Sequence, residues 1–227
     1  MHEREAYVED CLAIGDNGYR APGHIGVFHF NGGHFEVHTV HGPGLPSPVS
    51  SQHSINLGAY DDDALADAIG GLLGLPTDAL EYTAPVLASG VKTSADDYAV
   101  FLRAIMNGQL QIGSLLGAFK VCTVTDPNIC PTSKNSPVPD GERWHYSIGH
   151  WVEDDPITGP QYGEAYSSPG GLGFYPWITT DNAWYGIVFR DTGRSPVSAA
   201  DANDDTIGWQ SVECGRVIRE AWLNPPT

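Results

Sequence analysis

The spacing of apolar positions changes character past the middle of the chain. Before about residue 143 they recur at helical intervals, and beyond it they run in short aromatic and β-branched strings. The clearest helical stretch is SADDYAVFLRAIMNG, residues 94–108, where Tyr98, Phe101, Leu102 and Ile105 follow at i, i+3, i+4 and i+7. Ser94 and Asp97 have capping-box spacing, with Asp in place of Glu, and Gly108 stands where a helix stops. Asp96 and Asp97 resemble paired acid–base carboxylates, but in a first turn they complement the helix dipole. A second helix is expected in DDDALADAIGGLLGL, with Asp63 as N-cap and Leu65, Ile69, Leu72 and Leu73 on one face. EREAYVEDCLAI reads as a short N-terminal helix, and residues 42–58, rich in Pro, Ser and Gly, read as a loop.

The strings WHYSIGHWVED, LGFYPWITT and AWYGIVFRD have the composition of strands, and Asp181-Asn182 joins the last two closely enough for a hairpin. The closing stretch DDTIGWQSVECGRVIREAWLN returns to helical spacing. Cys214, Val217, Ile218, Ala221 and Trp222 form an apolar stripe, which predicts a terminal helix covering the sheet. Helices, then an antiparallel sheet, then a closing helix is the order of an α+β protein. A single domain over residues 1–227 follows, mainly helical in 1–142, with strands and the last helix in 143–227.

Charge narrows the partners. Lys plus Arg is 11 and Asp plus Glu is 28, so the net charge is 11 − 28 = −17, which repels a phosphate backbone and argues against nucleic acid. No apolar run approaches membrane-spanning length, and no charged-then-apolar leader opens the sequence. Cys122 and Cys130 flank the polar loop TVTDPNI. A disulfide across it would stabilise by roughly 2–3 kcal/mol, and such a bond suits a secreted or periplasmic protein whose leader has been removed. Cys11 and Cys214 form a further possible pair, with connectivity open. No Cys-x-x-Cys occurs, which argues against a zinc ribbon or thioredoxin-type site.

Five of the nine histidines, His24, His29, His34, His38 and His41, fall in one stretch. His34, Glu36 and His38 share a face if extended, but the order is H-F-E-V-H rather than H-E-x-x-H, and no further ligand completes a set. Ordinary packing is the better reading, so no metal or other cofactor is expected. Asp201, Asn203 and Asp205 resemble the start of a calcium loop, but Thr206 and Val212 stand where Gly and Glu belong, and capping of the last helix accounts for them better. In YSSPGGLGFYPW, three glycines and a proline interrupt an aromatic strand. This is a turn, a bulge, or a place where backbone N–H groups meet an oxyanion. Lys92-Thr93 leads straight into the cap at Ser94, and neither a Gly-x-Ser-x-Gly elbow nor a Ser-x-x-Lys nucleophile is expected.

Four stretches in order carry a resemblance: PGHIGVFHFNGGHFEV, LASGVKTSADDYAVFLRAIMNG, SSPGGLGFYPWITTDNAWYGIVFRD and the terminal helix. Together they resemble the serine β-lactamase-fold hydrolases, the superfamily of class C β-lactamases, penicillin-binding proteins and family VIII carboxylesterases. The resemblance implies acyl transfer through a serine ester, leaning to carboxylesterase, with a small-molecule ester as substrate. It sets Ser168-Pro169-Gly170 on the Lys-Thr-Gly or His-x-Gly position, the Gly171 N–H on an oxyanion donor, and Phe30-Asn31-Gly32 on Tyr-x-Asn. Trp177, Tyr175, Phe174, His150 and Trp151 would suit a pocket for an apolar ester.

The departures are equally specific. Phe30 has no hydroxyl for a general base, and Ser168 replaces a cation or imidazole. The block in which Ser-x-x-Lys opens a helix is missing, together with the first helix and the opening strands. Three explanations stay open: a fragment, a second chain supplying the N-terminal part, or a degenerate relative with a binding role. An alternate nucleophile within the chain is a fourth.

Overall fold

The computed structural model describes Tyr7 and residues 26–30, 57–139, 141–154, 164–190 and 207–225. The chain clusters into two compact units, Met1–Ile25 with Asn31–Val100, and Gly26–Phe30 with Phe101–Thr227. The expected N-terminal helix, most of the 42–58 loop, the calcium-like acids, and His24, His34, His38 and His41 lie outside the described residues.

In the first unit, α1 (Asp62–Leu73) packs beside a hairpin of β2 (Leu80–Tyr82) and β3 (Val91–Thr93). The α1 cap is Asp61, two residues before the expected Asp63: its carboxylate accepts from the Ala64 N–H at 2.9 Å. Leu65 is buried against Leu57 with Ile69 packed beside them, and of the four stripe residues Leu72 alone is exposed. α2 (Ala95–Met106) starts in this unit and ends in the second. Its cap is the expected one, with the Asp97 N–H donating to Ser94 Oγ at 3.0 Å and the Ser94 hydroxyl donating back to the Asp97 carboxylate. Gly108 follows it in the left-handed region (φ 67°), where a side chain would be strained.

The second unit is built on an antiparallel sheet, so the α+β class holds. Its strands are β4 (Val121–Cys122), β6 (His145–Tyr146), β7 (Trp151–Glu153), β8 (Ala165–Ser167), β9 (Tyr175–Thr179) and β10 (Tyr185–Val188). The spatial order is β10-β9-β8-β7-β6-β4, so β6 to β10 form a meander and β4 flanks β6. β1 (Phe28–His29) runs parallel to β5 (Ser133–Asn135) as a separate pair. The Asp181-Asn182 hairpin forms as expected: Asn182 takes φ 58°, and the Asp181 carboxylate accepts from the Thr179 hydroxyl and the Ala183 N–H.

Register decides which side chains share a face. Trp151 lies opposite Ser167, Glu153 opposite Ala165, Trp177 opposite both Ser167 and Gly186, and Tyr175 opposite Val188. These residues carry the core, in which Trp144, Trp151, Tyr175, Trp177 and Val212 are buried. α3 (Ile207–Leu223) packs on β9 and β10, as expected of the terminal helix.

The face α3 buries is not the expected one. Gly208, Ser211, Val212, Gly215, Arg216 and Arg219 point inward, while Cys214, Val217, Ile218, Ala221 and Trp222 are exposed. The reason is volume. A Cβ on Gly215 would lie 2.7 Å from Tyr175 Cδ1, so at this point of closest approach the aromatic sheet face leaves no room for a side chain.

Candidate functional site

Beneath α3 sits a closed ionic network. Arg219 Nη2 lies 2.6 Å from Glu153 Oε2, Arg219 Nη1 donates to the Tyr175 hydroxyl at 2.9 Å, and that hydroxyl donates to Glu153 Oε1 at 2.6 Å. Both charged side chains are almost fully enclosed. Burial, and then the Glu153 carboxylate, hold the Tyr175 hydroxyl protonated far above its ordinary value. Burial opposes the Arg219 charge, but Glu153 outweighs it and the guanidinium is more firmly protonated than usual. Beside it Arg216 grips Glu142 with both Nη atoms, at 2.9 and 2.7 Å, while lying over the Trp144 and Trp209 rings. Two buried atoms here, Ser167 Oγ and Arg219 Nε, have no hydrogen-bond partner.

Further along the sheet, His150 accepts the Gly117 N–H on Nε2 at 2.9 Å and its Nδ1 lies 2.9 Å from the Ile148 carbonyl, which fixes the proton on Nδ1. Burial lowers its pKa below 6.5. With both nitrogens engaged it is a structural imidazole. His145 differs: Asp154 Oδ1 lies 2.7 Å from its Nδ1, and among the described residues Nε2 has no hydrogen-bond partner. Asp154 also holds Lys120 at 2.5 Å. Burial raises the Asp154 carboxyl, but hydrogen bonds from His145 and Lys120 outweigh it, and the group sits below the usual carboxylate range.

The residues that the resemblance singled out divide. The Phe30 ring stacks on Trp151 (5.4 Å between centroids, 29°) and stands edge-on to Tyr146, so aromatic packing fills the position expected to handle protons. Ser168 and Gly171 are in a turn that follows β8, closed by Gly170 N–H to Phe174 carbonyl at 2.7 Å. Ser168 and Gly171 are near the surface, and the first turn of α3 lies against the loop at Gly170. Tyr175, Trp177 and Trp151 are buried in the core and His150 is bound into its own turn, so these four do not form one surface open to solvent. The disulfide expected between Cys122 and Cys130 is not formed. Both are free thiols, near enough to hydrogen-bond, and burial raises the Cys122 pKa. Cys214 is a free, exposed thiol. Among the described residues no group of His, Cys, Asp and Glu could hold a metal, and His29 is exposed on β1.

The expectation that no Ser-x-x-Lys occurs is wrong at one place, since Ser89-Gly90-Val91-Lys92 has that spacing. The structure puts it on a turn entering β3, where Gly90 takes φ 86° and Lys92 pairs with Glu81 at 2.9 Å, both side chains mostly exposed. Helical geometry, which would bring Ser and Lys to one face, is absent. The Glu153–Tyr175–Arg219 network was also missed. An acid in a strand otherwise buried on both sides, and two arginines in a closing helix, were its only signals. Comparison of the chain with protein-family models, with curated proteins and with solved structures found no match.

Proposed function

We propose that this chain is a non-catalytic module on a serine β-lactamase-like scaffold, and that it works by binding a partner. One observation carries the reading: Phe30 is stacked on Trp151 where the resemblance calls for a proton-handling hydroxyl. The buried ionisable groups support it, since Glu153, Tyr175 and Arg219 bond to one another and both nitrogens of His150 are occupied. The Ser89/Lys92 spacing supports it too, because a lysine paired to Glu81 in solvent is no general base.

The test is hydrolysis of p-nitrophenyl acetate and butyrate by the whole chain, with a fluorophosphonate probe and mass mapping. No turnover and no labelled serine is the expected result, and turnover with a labelled serine overturns the reading. A second reading, an ester hydrolase using an acyl-enzyme, has one specific observation behind it. Asp154 fixes the His145 proton on Nδ1, so Nε2 is left as a base in the manner of a catalytic dyad. Under that reading His145→Gln abolishes the turnover.

A further inference from the structure

The outward side of α3 carries an apolar stripe that is exposed among the described residues. Cys214, Ile218 and Trp222 stand at i, i+4 and i+8, with Val217 and Ala221 alongside, and all are exposed. Trp222 extends the stripe off the helix by packing on Trp184, at 5.1 Å between ring centroids, although both rings remain more than half exposed. Paired tryptophans held in solvent beside aliphatic residues are the composition of an interface centre, not of a solvated surface.

The charges around the stripe select its occupant. Glu213 and Glu220 are exposed on the same helix, and Asp181 is exposed in the turn beside Trp184. The two arginines of α3 are turned inward onto Glu142 and Glu153, and Arg190 is held by Gln210 near the start of the helix. The stripe is thus rimmed by acid. A second copy would set Glu213 and Glu220 against their own kind between two chains of charge −17 each, which disfavours self-pairing. We propose that the outward face of α3 docks a cationic amphipathic helix of a partner protein, apolar side chains on the Val217–Trp222 stripe and Lys or Arg against its acidic rim. The inference rests on the partner-binding reading and supplies the kind of partner.

Cys214 provides the measurement, because its exposed thiol lies one turn from Ile218. The full chain is alkylated with iodoacetamide, and the rate at Cys214 is followed by peptide mapping. Three helical 18-residue peptides are compared: Leu/Lys amphipathic, Leu/Glu amphipathic, and Leu/Lys with the same composition scrambled. Saturating Leu/Lys peptide is expected to slow alkylation of Cys214 about tenfold, the other two to leave it unchanged, and a Val217→Ser/Ile218→Ser double variant to weaken binding about tenfold. The wild-type protection result needs no variant, and far-UV circular dichroism checks that the double variant is folded.

Unchanged Cys214 reactivity overturns the proposal. So does binding that the double variant leaves intact, which would be charge attraction alone. Light scattering that finds a dimer with Cys214 already protected overturns it in favour of a second copy. Ester turnover, measured on the same preparation, tells against the non-catalytic reading instead, and the two failures are separately visible.

Discussion

The two sides of α3 invert the usual arrangement of a surface helix. The inner side presents Gly208, Ser211, Val212, Gly215, Arg216 and Arg219 to the sheet; the outer side presents Val217, Ile218 and Trp222 to solvent. The difference teaches that burial follows the shape of what is already there. Trp144, Trp151, Tyr175 and Trp177 fill the sheet face, so the helix approaches through small residues, and its guanidinium groups lie 5.2–5.9 Å from ring centroids with their ends on Glu142 and Glu153. The apolar residues are left over on the other side.

The largest effect should come from breaking the inner side. Arg219→Leu leaves Glu153 buried with the Tyr175 hydroxyl as its one remaining partner in the network, and we expect a loss of about 3–5 kcal/mol in urea unfolding. Adding Glu153→Leu removes the stranded charge and should restore most of that loss. If the single and double variants are equally unstable, it is the shape of the arginine, not its charge, that joins helix to sheet. Next comes Gly215→Ala. Helix propensity favours alanine by about 0.5–1 kcal/mol. The new Cβ would meet the Tyr175 ring, and overpacking of about 1–3 kcal/mol should reverse the sign. A stabilised Gly215→Ala would mean that the close approach is not what selects small residues on this side.

Elements with their own local signals were legible in the sequence. The Ser94–Asp97 cap, the Gly108 stop and the Asp181-Asn182 hairpin need only neighbouring residues, and each formed as read. What local pattern could not supply was the height of the surface that an element meets. The stripe on α3 was read correctly as a stripe and assigned to the wrong side, because Gly215 and Gly186 announce a close approach only once Tyr175 and Trp177 are known to lie opposite. Asp63 lost the cap to Asp61 by a shift that periodicity cannot resolve among three consecutive acids. For the site, Phe30 drew attention only through the resemblance, and its stacking on Trp151 was not legible in the sequence. The Asp154–His145 pair brings together residues nine apart across the antiparallel β6–β7 pair, which no motif encodes.

His150 repeats part of the inner-side logic elsewhere on the sheet: a buried polar side chain held by hydrogen bonds within the protein, here on both ring nitrogens. Its pKa lies below the ordinary 6.5, so the folded protein keeps it neutral while the unfolded chain takes up the proton first as pH falls. Stability from this group is therefore fully present above about pH 6.5 and is lost as pH falls through the lower folded value. His150→Gln puts a non-titrating acceptor near the Gly117 N–H. We expect stability at pH 7 within about 1 kcal/mol of wild type and a flatter dependence on pH below 6.5. An unchanged slope would assign the acid sensitivity to other groups.

The smallest effect should fall on the outer side, and its smallness is the point. Val217→Ser deletes an apolar side chain from a helix, a change that costs several times more when the residue is buried, as Val212 is one face away. Val217 keeps 63% of its surface in solvent, so little transfer free energy is lost with it. Unfolding of the isolated chain should move by no more than about 0.5 kcal/mol. A larger loss would show that the outer stripe supports the fold of this chain by itself and would remove the reason to seek a partner for it. A neutral result, beside weakened peptide binding by the double variant, would separate the two sides by function: the polar, small-residue side fixes the helix to the sheet, and the apolar side is held out for something else.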